Sequence, residues 1–422
     1  MPVPMTVQEQ AEAKAAAERF GAVFGPAFED ILVGKPQRMI EGFLVVEDKH
    51  LAKVVPFRLN ENQVFVHDAV YGPLQDYLDG YDAVLLKDRQ ATMTSSFQAD
   101  GFAFMASFPN IHVIHVFQDV DTGKQLGERL GMFWDRLDPW FLDHDSQKIV
   151  KVGDSKTDMV LEFWQEGEMV GKSSYLIISA GAREFGVGLS PNFIIYDEYD
   201  LYTSLDLVGK IEAAKGSNCK TVKMSTPRGM KQLHTDYFAA KEGRSGAQAI
   251  AIYCFQNHQN RMEEGLKVAP PKFRGRFDLL PEHRKILESA EWAERSAFKT
   301  ETEVASFFRW WEWKRQEIRQ RLSTEGIFDE RRILGETESE HCTNDRTCWH
   351  NLGVTPFDED VLDDYTIWGQ EAKDHLRRRV ESLVVPSVCI YMYESPFPGM
   401  AYACGCDCAW GQGGGDDVVS FI

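Results

Sequence analysis

The strongest constraint on this chain is a short apolar run that ends in two acidic residues. Residues 192–198 read Asn-Phe-Ile-Ile-Tyr-Asp-Glu, a series of β-forming side chains followed by adjacent carboxylates. Such a run predicts a parallel strand that is covered on both faces. Carboxylates at the C-terminal end of this kind of strand lie where open α/β sheets bind ligands. Asp197 could hold a hydrated Mg²⁺ and Glu198 could orient or deprotonate a water beside a phosphate. Taken alone, the pair is better explained by a strand that simply reaches solvent, because short motifs match by chance.

Length and charge exclude several classes of protein. A chain of 422 residues predicts two or three domains, and 43% hydrophobic with 26% charged residues is a globular composition. The net charge of −19 excludes a histone-like or repressor-like DNA binder but leaves room for a local basic groove. Neither a membrane-spanning run nor a signal peptide is recognisable, so we expect a cytoplasmic protein. All eight cysteines lie at or beyond Cys219, without a secreted-protein framework, so we expect reduced thiols.

The N-terminal part of the chain predicts helix followed by a pair of strands. Residues 5–32 carry apolar side chains at helical spacing, and residues 43–46 and 51–55 read as strands joined by a polar turn. Next comes Val-Pro-Phe-Arg-Leu-Asn-Glu-Asn-Gln at residues 55–63. A glutamine amide ahead of a nucleotide site could read an adenine edge, but Gln63 by itself is an ordinary polar residue.

A strand, a polar loop and a helix follow in the order that a phosphate-binding loop requires. The strand covers residues 83–86, the loop reads Lys-Asp-Arg-Gln-Ala-Thr-Met-Thr-Ser-Ser at residues 87–96, and the helix covers residues 97–108. The free N–H groups of a helix N-terminus suit an anion. The standard Gly-x-x-x-x-Gly-Lys-Ser/Thr pattern is absent, so the loop alone does not establish the site.

The central region predicts more strands of the same sheet. Residues 111–116 alternate apolar side chains with two histidines, which are more simply packed than metal-bound. Residues 148–171 read as a β-ribbon, followed by a strand at residues 175–179. Residues 221–224 form a strand that ends in Ser225-Thr226-Pro227, where hydroxyls beside the carboxylate strand could sense a phosphate.

The last third is helical and then turns to β-structure. Residues 282–321 predict helix. Their aromatic side chains are better explained by core packing than by base stacking. Their basic side chains either track a DNA backbone or form a solvated face. Residues 341–350 contain four possible zinc ligands at a spacing that matches no common finger, so free thiols are favoured. The tail predicts a strand ending at Asp407, a glycine turn and a second strand from Val418, the opening of many two-metal nucleases.

Taken in order, these motifs resemble the large terminase subunit of tailed phages, the motor-nuclease that packages DNA. The residues that carry the resemblance are 55–63, 86–95, 193–198, 225–227 and the Asp407 hairpin. The resemblance implies an α/β fold with a P-loop NTPase core around a mainly parallel sheet, a helical linker region and the first hairpin of a ribonuclease-H-like nuclease domain. It predicts four segments: an N-terminal helical segment, the ATPase core, the linker region and the start of the nuclease domain, at residues 1–40, 41–245, 246–395 and 396–422.

The same resemblance implies roles for individual residues. Glu198 and Arg89 would be catalytic. The nucleotide would contact Gln63, Lys87, Arg89, Gln90, Ala91, Thr92, Met93, Thr94, Ser95, Ser225 and Thr226. The metal-binding positions would be Thr94, Asp197 and, in the nuclease, Asp407. Two positions depart from the family pattern: Thr92 stands where glycine is usual, and Met93 where many relatives have the loop lysine. We therefore expect Arg89, or else Lys87, to supply the positive charge.

The function implied by the resemblance is ATP-driven translocation of double-stranded DNA into a procapsid in the host bacterium. The cofactors would be ATP and Mg²⁺, with Mg²⁺ or Mn²⁺ for the nuclease. The partners would be the portal protein, the small terminase subunit and further copies in a ring, without membrane contact. A helicase-like translocase and a catalytically silent ATP- or DNA-binding prophage remnant are the alternatives. We expect the chain as given not to cut DNA, because only Asp407, with Asp416 or Asp417, could contribute to a nuclease site.

Overall fold

The apolar strands predicted from the sequence lie side by side in one large sheet. The computed structural model describes residues 30–31, 33–48, 53–89, 91–137, 139–144, 147–155, 157–182, 190–262 and 279–349, together with four short strands beyond residue 352. The chain divides into two compact units, residues 1–352 and 353–422. In the described part of the chain, no helix combines the length and the apolar character needed to cross a membrane.

The first half of the first unit contains, in chain order, α1 (Gln37–Phe43), β1 (Val45–Asp48), β2 (Lys53–Pro56), α2 (Glu61–Tyr71), β3 (Tyr81–Lys87), α3 (Met93–Ser107), β4 (His112–Phe117), α4 (Val120–Asp135), α5 (Pro139–Leu142), β5 (Asp143–His144), β6 (Gln147–Ser155), β7 (Asp158–Gln165) and β8 (Glu168–Ser179). Its second half contains β9 (Phe193–Asp197), α6 (Asp206–Ala214), β10 (Lys220–Ser225), α7 (Gln232–Lys241), β11 (Gln248–Ile252), α8 (Pro281–Leu287), α9 (Ala290–Arg295), α10 (Glu301–Thr324) and α11 (Glu330–Glu340).

Nine of these strands form one sheet in the order β11-β3-β10-β9-β4-β8-β7-β6-β5. Strands β11 to β8 are parallel to their neighbours, and β7, β6 and β5 extend the sheet as an antiparallel ribbon. Strands β1 and β2 pair separately as an antiparallel hairpin. The predicted α/β class with a mainly parallel sheet is therefore confirmed.

Strand β9 shows why its sequence is continuously apolar. Phe193 and Ile195 pack into the core on one face of the sheet, together with side chains of α3. Ile194 and Tyr196 face the other side, where α6, α7 and the aromatic residues of α10 cover the sheet. Because successive side chains of a strand point to opposite faces, a strand between two helical layers has no solvent-facing position to fill with polar residues.

Several predicted elements differ from the observed ones in extent. The β-ribbon and the strand predicted at residues 175–179 are continuous, because β8 runs from the exposed ribbon directly into the buried sheet. The helix after the polar loop begins at Met93 rather than at residue 97. The helical region predicted at residues 282–321 is three helices, because Ser289 and Thr300 each accept a hydrogen bond from a helix N–H and start a new helix.

The composition of α10 is explained by packing and internal ion pairing. Its aromatic residues Phe307, Phe308, Trp310 and Trp311 are buried in the core, as expected. Its basic residues are paired with carboxylates rather than solvated: Arg315 with Glu282 and Glu312, Arg319 with Glu330, and Arg321 with Glu336 and Glu340. These pairs neutralise most of the charge that a DNA-tracking surface would need.

The second unit contributes two antiparallel strand pairs to the described residues. They are β12 (Arg378–Glu381) with β13 (Cys389–Met392), and β14 (Gly405–Cys406) with β15 (Ser420–Phe421). The second pair falls where the tail hairpin was predicted. Asp407 and the part of the predicted N-terminal helix before Asp30 lie outside the described residues, and the proposed division into four segments stays a prediction.

Replacing Gly101 by alanine should destabilise the protein. A Cβ atom on Gly101 would lie 2.9 Å from Val113 Cγ1 and 3.0 Å from Tyr175 Cε2, because α3 packs closely on the sheet at this point. Overpacking of this kind costs about 1–3 kcal/mol. The matched control is Gly209 in α6, where a Cβ meets no atom within 4 Å and alanine should add about 0.5–1 kcal/mol of stability. Urea unfolding of both variants measures the difference, and an unchanged or higher stability for Gly101→Ala would contradict the close approach.

Candidate functional site

Three parallel strands bring the predicted site residues to one edge of the sheet. Strand β10 lies between β3 and β9, with Ser225 opposite Leu86 of β3 and Met224 opposite Asp197 of β9. Lys87, Ser225 and Asp197 therefore end neighbouring strands at their C-terminal side, the position at which open α/β sheets bind ligands. The sequence predicted that the hydroxyl strand lies beside the carboxylate strand, and this is confirmed.

Two short polar contacts connect the phosphate loop to the acidic pair. Lys87 Nζ lies 2.7 Å from Glu198 Oε1, and Thr94 Oγ1 donates a hydrogen bond of 2.7 Å to Asp197 Oδ2. Ser225 Oγ donates to the other oxygen of Glu198, at 3.2 Å. Five of the predicted site residues thus form one connected group.

The electrostatics of the two carboxylates differ. Burial alone would raise the pKa of Glu198, but the Lys87 ammonium and the hydrogen bonds from Lys87 and Ser225 hold it below the ordinary value. Burial raises the pKa of Asp197, and the nearby Lys87 offsets only part of this effect. The pKa of Glu198 is therefore held below its ordinary value and that of Asp197 above it, so Glu198 is the better suited of the two to be an ionised group that accepts a proton.

The backbone is strained on both sides of the site. Among the described residues other than glycine, the backbone angle φ is positive at Thr92 (55°), Asn110, Glu166 and Glu198 (52°). The left-handed region is unfavourable for a β-branched residue, and such outliers cluster at functional sites. Thr92 precedes α3 and makes no capping hydrogen bond from its side chain to the helix. The N-cap side chain therefore does not occupy the first-turn N–H groups of α3, and an anion site at a helix N-terminus uses such groups.

Gln63 and Asn60 hold Thr92 in this conformation. Gln63 Nε2 donates to both the carbonyl oxygen and Oγ1 of Thr92 at 3.1 Å, and Asn60 Nδ2 donates to Oγ1 at 2.9 Å. Gln63 Oε1 accepts from the Asn60 N–H at 2.9 Å. Both ends of the Gln63 amide are therefore committed, and the residue is only 2% exposed.

The contact between Gln63 and Thr92 is one of several between α2 and the loop–α3 segment, three of which are evenly spaced along the chain. His67 Nε2 lies 3.0 Å from Ser96 Oγ, and Tyr71 OH donates to Asp100 at 2.8 Å. In all three pairs the partner stands 29 positions further along the chain. The two helices are thus joined once per turn on facing sides, which fixes the register of α2 against the phosphate loop.

The predicted loop cation Arg89 has a partner on a distant helix. Its side chain, 51% exposed, forms an ion pair with Glu340 at the end of α11. Arg321 Nη1 contacts the other oxygen of Glu340 at 2.7 Å. Burial alone would raise the pKa of Glu340, but the hydrogen bonds from Arg321 and Arg89 hold it below the ordinary value. A buried carboxylate between two guanidinium groups keeps a partner if one of them leaves.

Residues 339–342 cross the ends of three strands. Ser339 Oγ donates to the carbonyl oxygen of Pro227, just after β10. Arg89 N–H donates to the Glu340 carbonyl, and the His341 ring contacts Asp88 at 3.0 Å, both just after β3. The Cys342 carbonyl accepts from Cys254, after β11. We call residues 339–342 the crossing segment.

Three residues near the site have no role predicted from the sequence: Arg228, His115 and Glu340. The Arg228 charge contributes to the low pKa of Glu198; its position directly after Ser225-Thr226-Pro227 could have drawn attention to it. His115 Nε2 lies 4.0 Å from Asp197 Oδ2, and burial lowers the pKa of His115 to about 3, so the ring is neutral. No local pattern marks Glu340, because its partner Arg89 lies 251 positions away.

The residues present suit a magnesium ion that is held partly by phosphate. Among the described residues, no three His, Cys, Asp or Glu side chains are arranged to hold a metal ion. Thr94 Oγ1 and Asp197 Oδ2 are hard oxygen donors at hydrogen-bond distance, and Mg²⁺ in nucleotide sites is commonly held by one or two such groups plus phosphate oxygens. Of the four possible zinc ligands at residues 341–350, Cys342 and Cys348 are buried thiols and the His341 ring contacts Asp88, while His350 lies outside the described residues.

Comparison with known proteins gives a structural likeness only. No family model matches the sequence, and no curated protein matches it. Some solved structures are similar to it. Phage large terminases are among the solved structures similar to this chain. They come from the same family that the sequence motifs resemble.

Three of these large terminases show the extent of the likeness. The ATPase domain from Thermus phage P74-26 is 14% identical, with a TM-score of 0.39 over 69% of this chain and 94% of its own. The HK97 bacteriophage enzyme is 16% identical, with a TM-score of 0.45 over 78% of this chain and 57% of its own. A large terminase from a thermophilic bacteriophage, in complex with ADP, is 11% identical, with a TM-score of 0.33 over 46% of each chain. This chain thus spans about half the length of the last two proteins.

The remaining terminase-like positions take different places around the site. Ala91, Met93 and Thr226 are buried, and Ser95 is half-buried on the first turn of α3. Gln90 and Asp407 lie outside the described residues. The individual roles of all these residues stay predictions.

Removing the Gln63 amide should destabilise the protein through Thr92. Gln63→Leu takes away both donors to Thr92, so the left-handed backbone loses support, while in a Thr92→Gly background the glycine adopts positive φ without that cost. We expect Gln63→Leu to cost less in the glycine background, with a coupling of about 0.5–3 kcal/mol. Urea unfolding of the parent, both single variants and the double variant gives this coupling. Additive effects would show that Gln63 does not act through Thr92.

Proposed function

We propose that this chain hydrolyses ATP and uses the energy to move double-stranded phage DNA into a procapsid. The observation that carries the proposal is the pairing of Lys87 with Glu198 beside that of Thr94 with Asp197 at the edge of a parallel sheet. A cation, a hydroxyl and two carboxylates in this arrangement are the parts that phosphoryl-transfer sites use. The choice of DNA as cargo comes from the motif resemblance to large terminases.

Each of these residues has a distinct task in the proposed reaction. ATP would supply the γ-phosphoryl group, with Mg²⁺ neutralising its charge beside Thr94 and Asp197. The uncapped N–H groups of α3 and the Arg89 side chain would bind phosphate oxygens. Glu198, which is ionised, would orient water and accept its proton. Lys87 holds Glu198 in place and keeps its pKa low.

Coupling to movement would run through β10. Ser225 contacts Glu198, and two residues later the Pro227 carbonyl accepts a hydrogen bond from Ser339 of the crossing segment. A change at the catalytic carboxylate can therefore reach α11 through a continuous set of contacts. In the proposed assembly, several copies form a ring on the procapsid with the portal protein and the small terminase subunit. A nuclease domain, predicted to start at residue 396, would cut the packaged DNA with Mg²⁺ or Mn²⁺.

Glu198→Gln should abolish ATP hydrolysis and leave nucleotide binding largely intact. The amide keeps the size of the side chain but cannot accept a proton from water, and losses of this type are about 10²–10⁴-fold. Phosphate release measures turnover, and displacement of trinitrophenyl-ATP measures binding. Glu242→Gln is the control, since Glu242 is an exposed carboxylate paired with Arg244. Hydrolysis at the parental rate in the Glu198 variant would remove it from the catalytic role.

Arg89→Ala and Lys87→Ala should impair hydrolysis in different ways. Arg89→Ala removes a charged hydrogen bond to phosphate, so we expect KM to rise about 10- to 100-fold. Lys87→Ala frees Glu198 from its partner, so kcat should fall instead. We expect kcat/KM to fall further for Arg89→Ala; the opposite order would assign the phosphate charge to Lys87. Arg244→Ala, on the surface, is the control for loss of an arginine.

A further inference from the structure

Arg89 belongs to a group of paired charges that is built mainly on α10 and α11. Among the described residues, Arg89 pairs with Glu340, Arg321 pairs with both Glu340 and Glu336, and Arg332 pairs with Glu336. These three arginines and two glutamates carry one positive charge in excess. If the Arg89 side chain leaves the group, two arginines and two glutamates stay paired with one another. Arg89 is thus a cation that the group can release without leaving a carboxylate unpaired.

The ion pair between Arg89 and Glu340 is exposed on one side only. The Arg89 side chain is 51% exposed, whereas that of Glu340 is 9% exposed. Water and salt screen a half-exposed pair, so it contributes little to stability. A phosphate group offers several charged oxygens, and a guanidinium binds two of them at once. Phosphate can therefore displace Glu340 from Arg89, while Arg321 Nη1 stays at 2.7 Å from the buried carboxylate.

The backbone keeps Arg89 beside Glu340 whichever partner the guanidinium has. The Arg89 N–H donates to the Glu340 carbonyl at 3.0 Å, and the His341 ring lies 3.0 Å from the Asp88 carboxylate. Neither contact involves the Arg89 side chain. The guanidinium can thus change partner by rotation of its own side chain, without separation of the phosphate loop from the crossing segment.

We propose that Glu340 competes with the nucleotide for Arg89 and thereby lowers the affinity of the site for nucleotide. The inference rests on the proposed function, because it takes Arg89 as a phosphate ligand, and it adds a regulatory contact to that site. Arg321 has the opposite effect, since it shares Glu340 and weakens the hold of this carboxylate on Arg89. By linkage, a stronger hold of Glu340 on Arg89 weakens nucleotide binding, and a weaker hold strengthens it.

The test compares two variants with opposite expected effects on affinity. Displacement of trinitrophenyl-ATP by ATP-γ-S measures nucleotide binding without turnover. Glu340→Gln keeps the size of the side chain but removes its charge, so we expect binding to become about threefold to tenfold tighter. Arg321→Gln leaves Glu340 to Arg89 alone, so binding should become weaker by a similar factor. Damage to the fold would weaken binding in both variants.

The same substitutions in an Arg89→Ala background separate competition from a direct charge effect. A direct effect of the Glu340 or Arg321 charge on the nucleotide does not need Arg89 and persists in this background. If the two residues act through Arg89, each substitution should change the affinity there by less than about twofold. Glu330→Gln is the matched control, because Glu330 also pairs with two arginines, Arg315 and Arg319, at the start of α11. It should keep the parental affinity.

Two results would overturn this inference and leave the proposed function in place. One is unchanged or weaker binding by a folded Glu340→Gln variant, and the other is an effect of equal size with and without Arg89. If Glu340→Gln does not fold, the two measurements of Arg321→Gln decide: weaker binding that needs Arg89 supports the inference, and any other result overturns it. A parent chain that binds no ATP-γ-S would overturn the proposed function, and the inference with it.

Discussion

The ion pair between Lys87 and Glu198 is the interaction on which the site depends. Lys87 is almost completely buried at the end of β3, where an unpaired ammonium would be strongly unfavourable. Glu198 offers the compensating charge, but it can do so only from the end of a strand close to β3 and with a left-handed backbone that turns its side chain toward the loop. The order of the strands and the left-handed backbone of Glu198 together place its carboxylate against Lys87, and this ion pair lowers the pKa of Glu198. The stability of a buried lysine and the low pKa of Glu198 have the same source.

The parts of the site that the sequence could predict are those set by strand ends. The continuous apolar run before Asp197 and the one before Lys87 each predict a buried parallel strand, and parallel strands bring their C-terminal ends to one edge. The rule places Lys87, Asp197 and Ser225 at one edge, whereas the individual contacts of Lys87 with Glu198 and of Thr94 with Asp197 were not predicted from the sequence. The helix after the loop was predicted to begin at residue 97 instead of Met93, because residues 93–96 show no helical spacing of apolar side chains. Contacts with α2, such as that of His67 with Ser96, stabilise this first turn and leave no trace in the local sequence.

Other features depend on tertiary contacts that leave no local pattern. Gln63 has the residue type expected of a base reader, but the amide is turned toward Thr92 because the left-handed threonine needs two donors. The pairing of Arg89 with Glu340 depends on how α11 returns to the sheet. The basic residues of α10 likewise gave no sign of their carboxylate partners, some of which lie on α8 and α11. The residue types indicated which chemistry the site could support. The direction of each side chain depends on tertiary packing, which the local sequence does not show.

The crossing segment also limits how the sheet can deform. It is attached after β10, after β3 and after β11, which are consecutive neighbours in the sheet. If the ends of β3 and β10 moved apart to admit or release a ligand, four residues of nearly fixed length would have to follow, since a chain cannot stretch beyond about 3.3–3.6 Å per residue. Any widening of this edge would therefore be transmitted to α11 as a displacement along the segment. A movement of the loop after β3 would therefore displace residues 339–342 along their own chain direction.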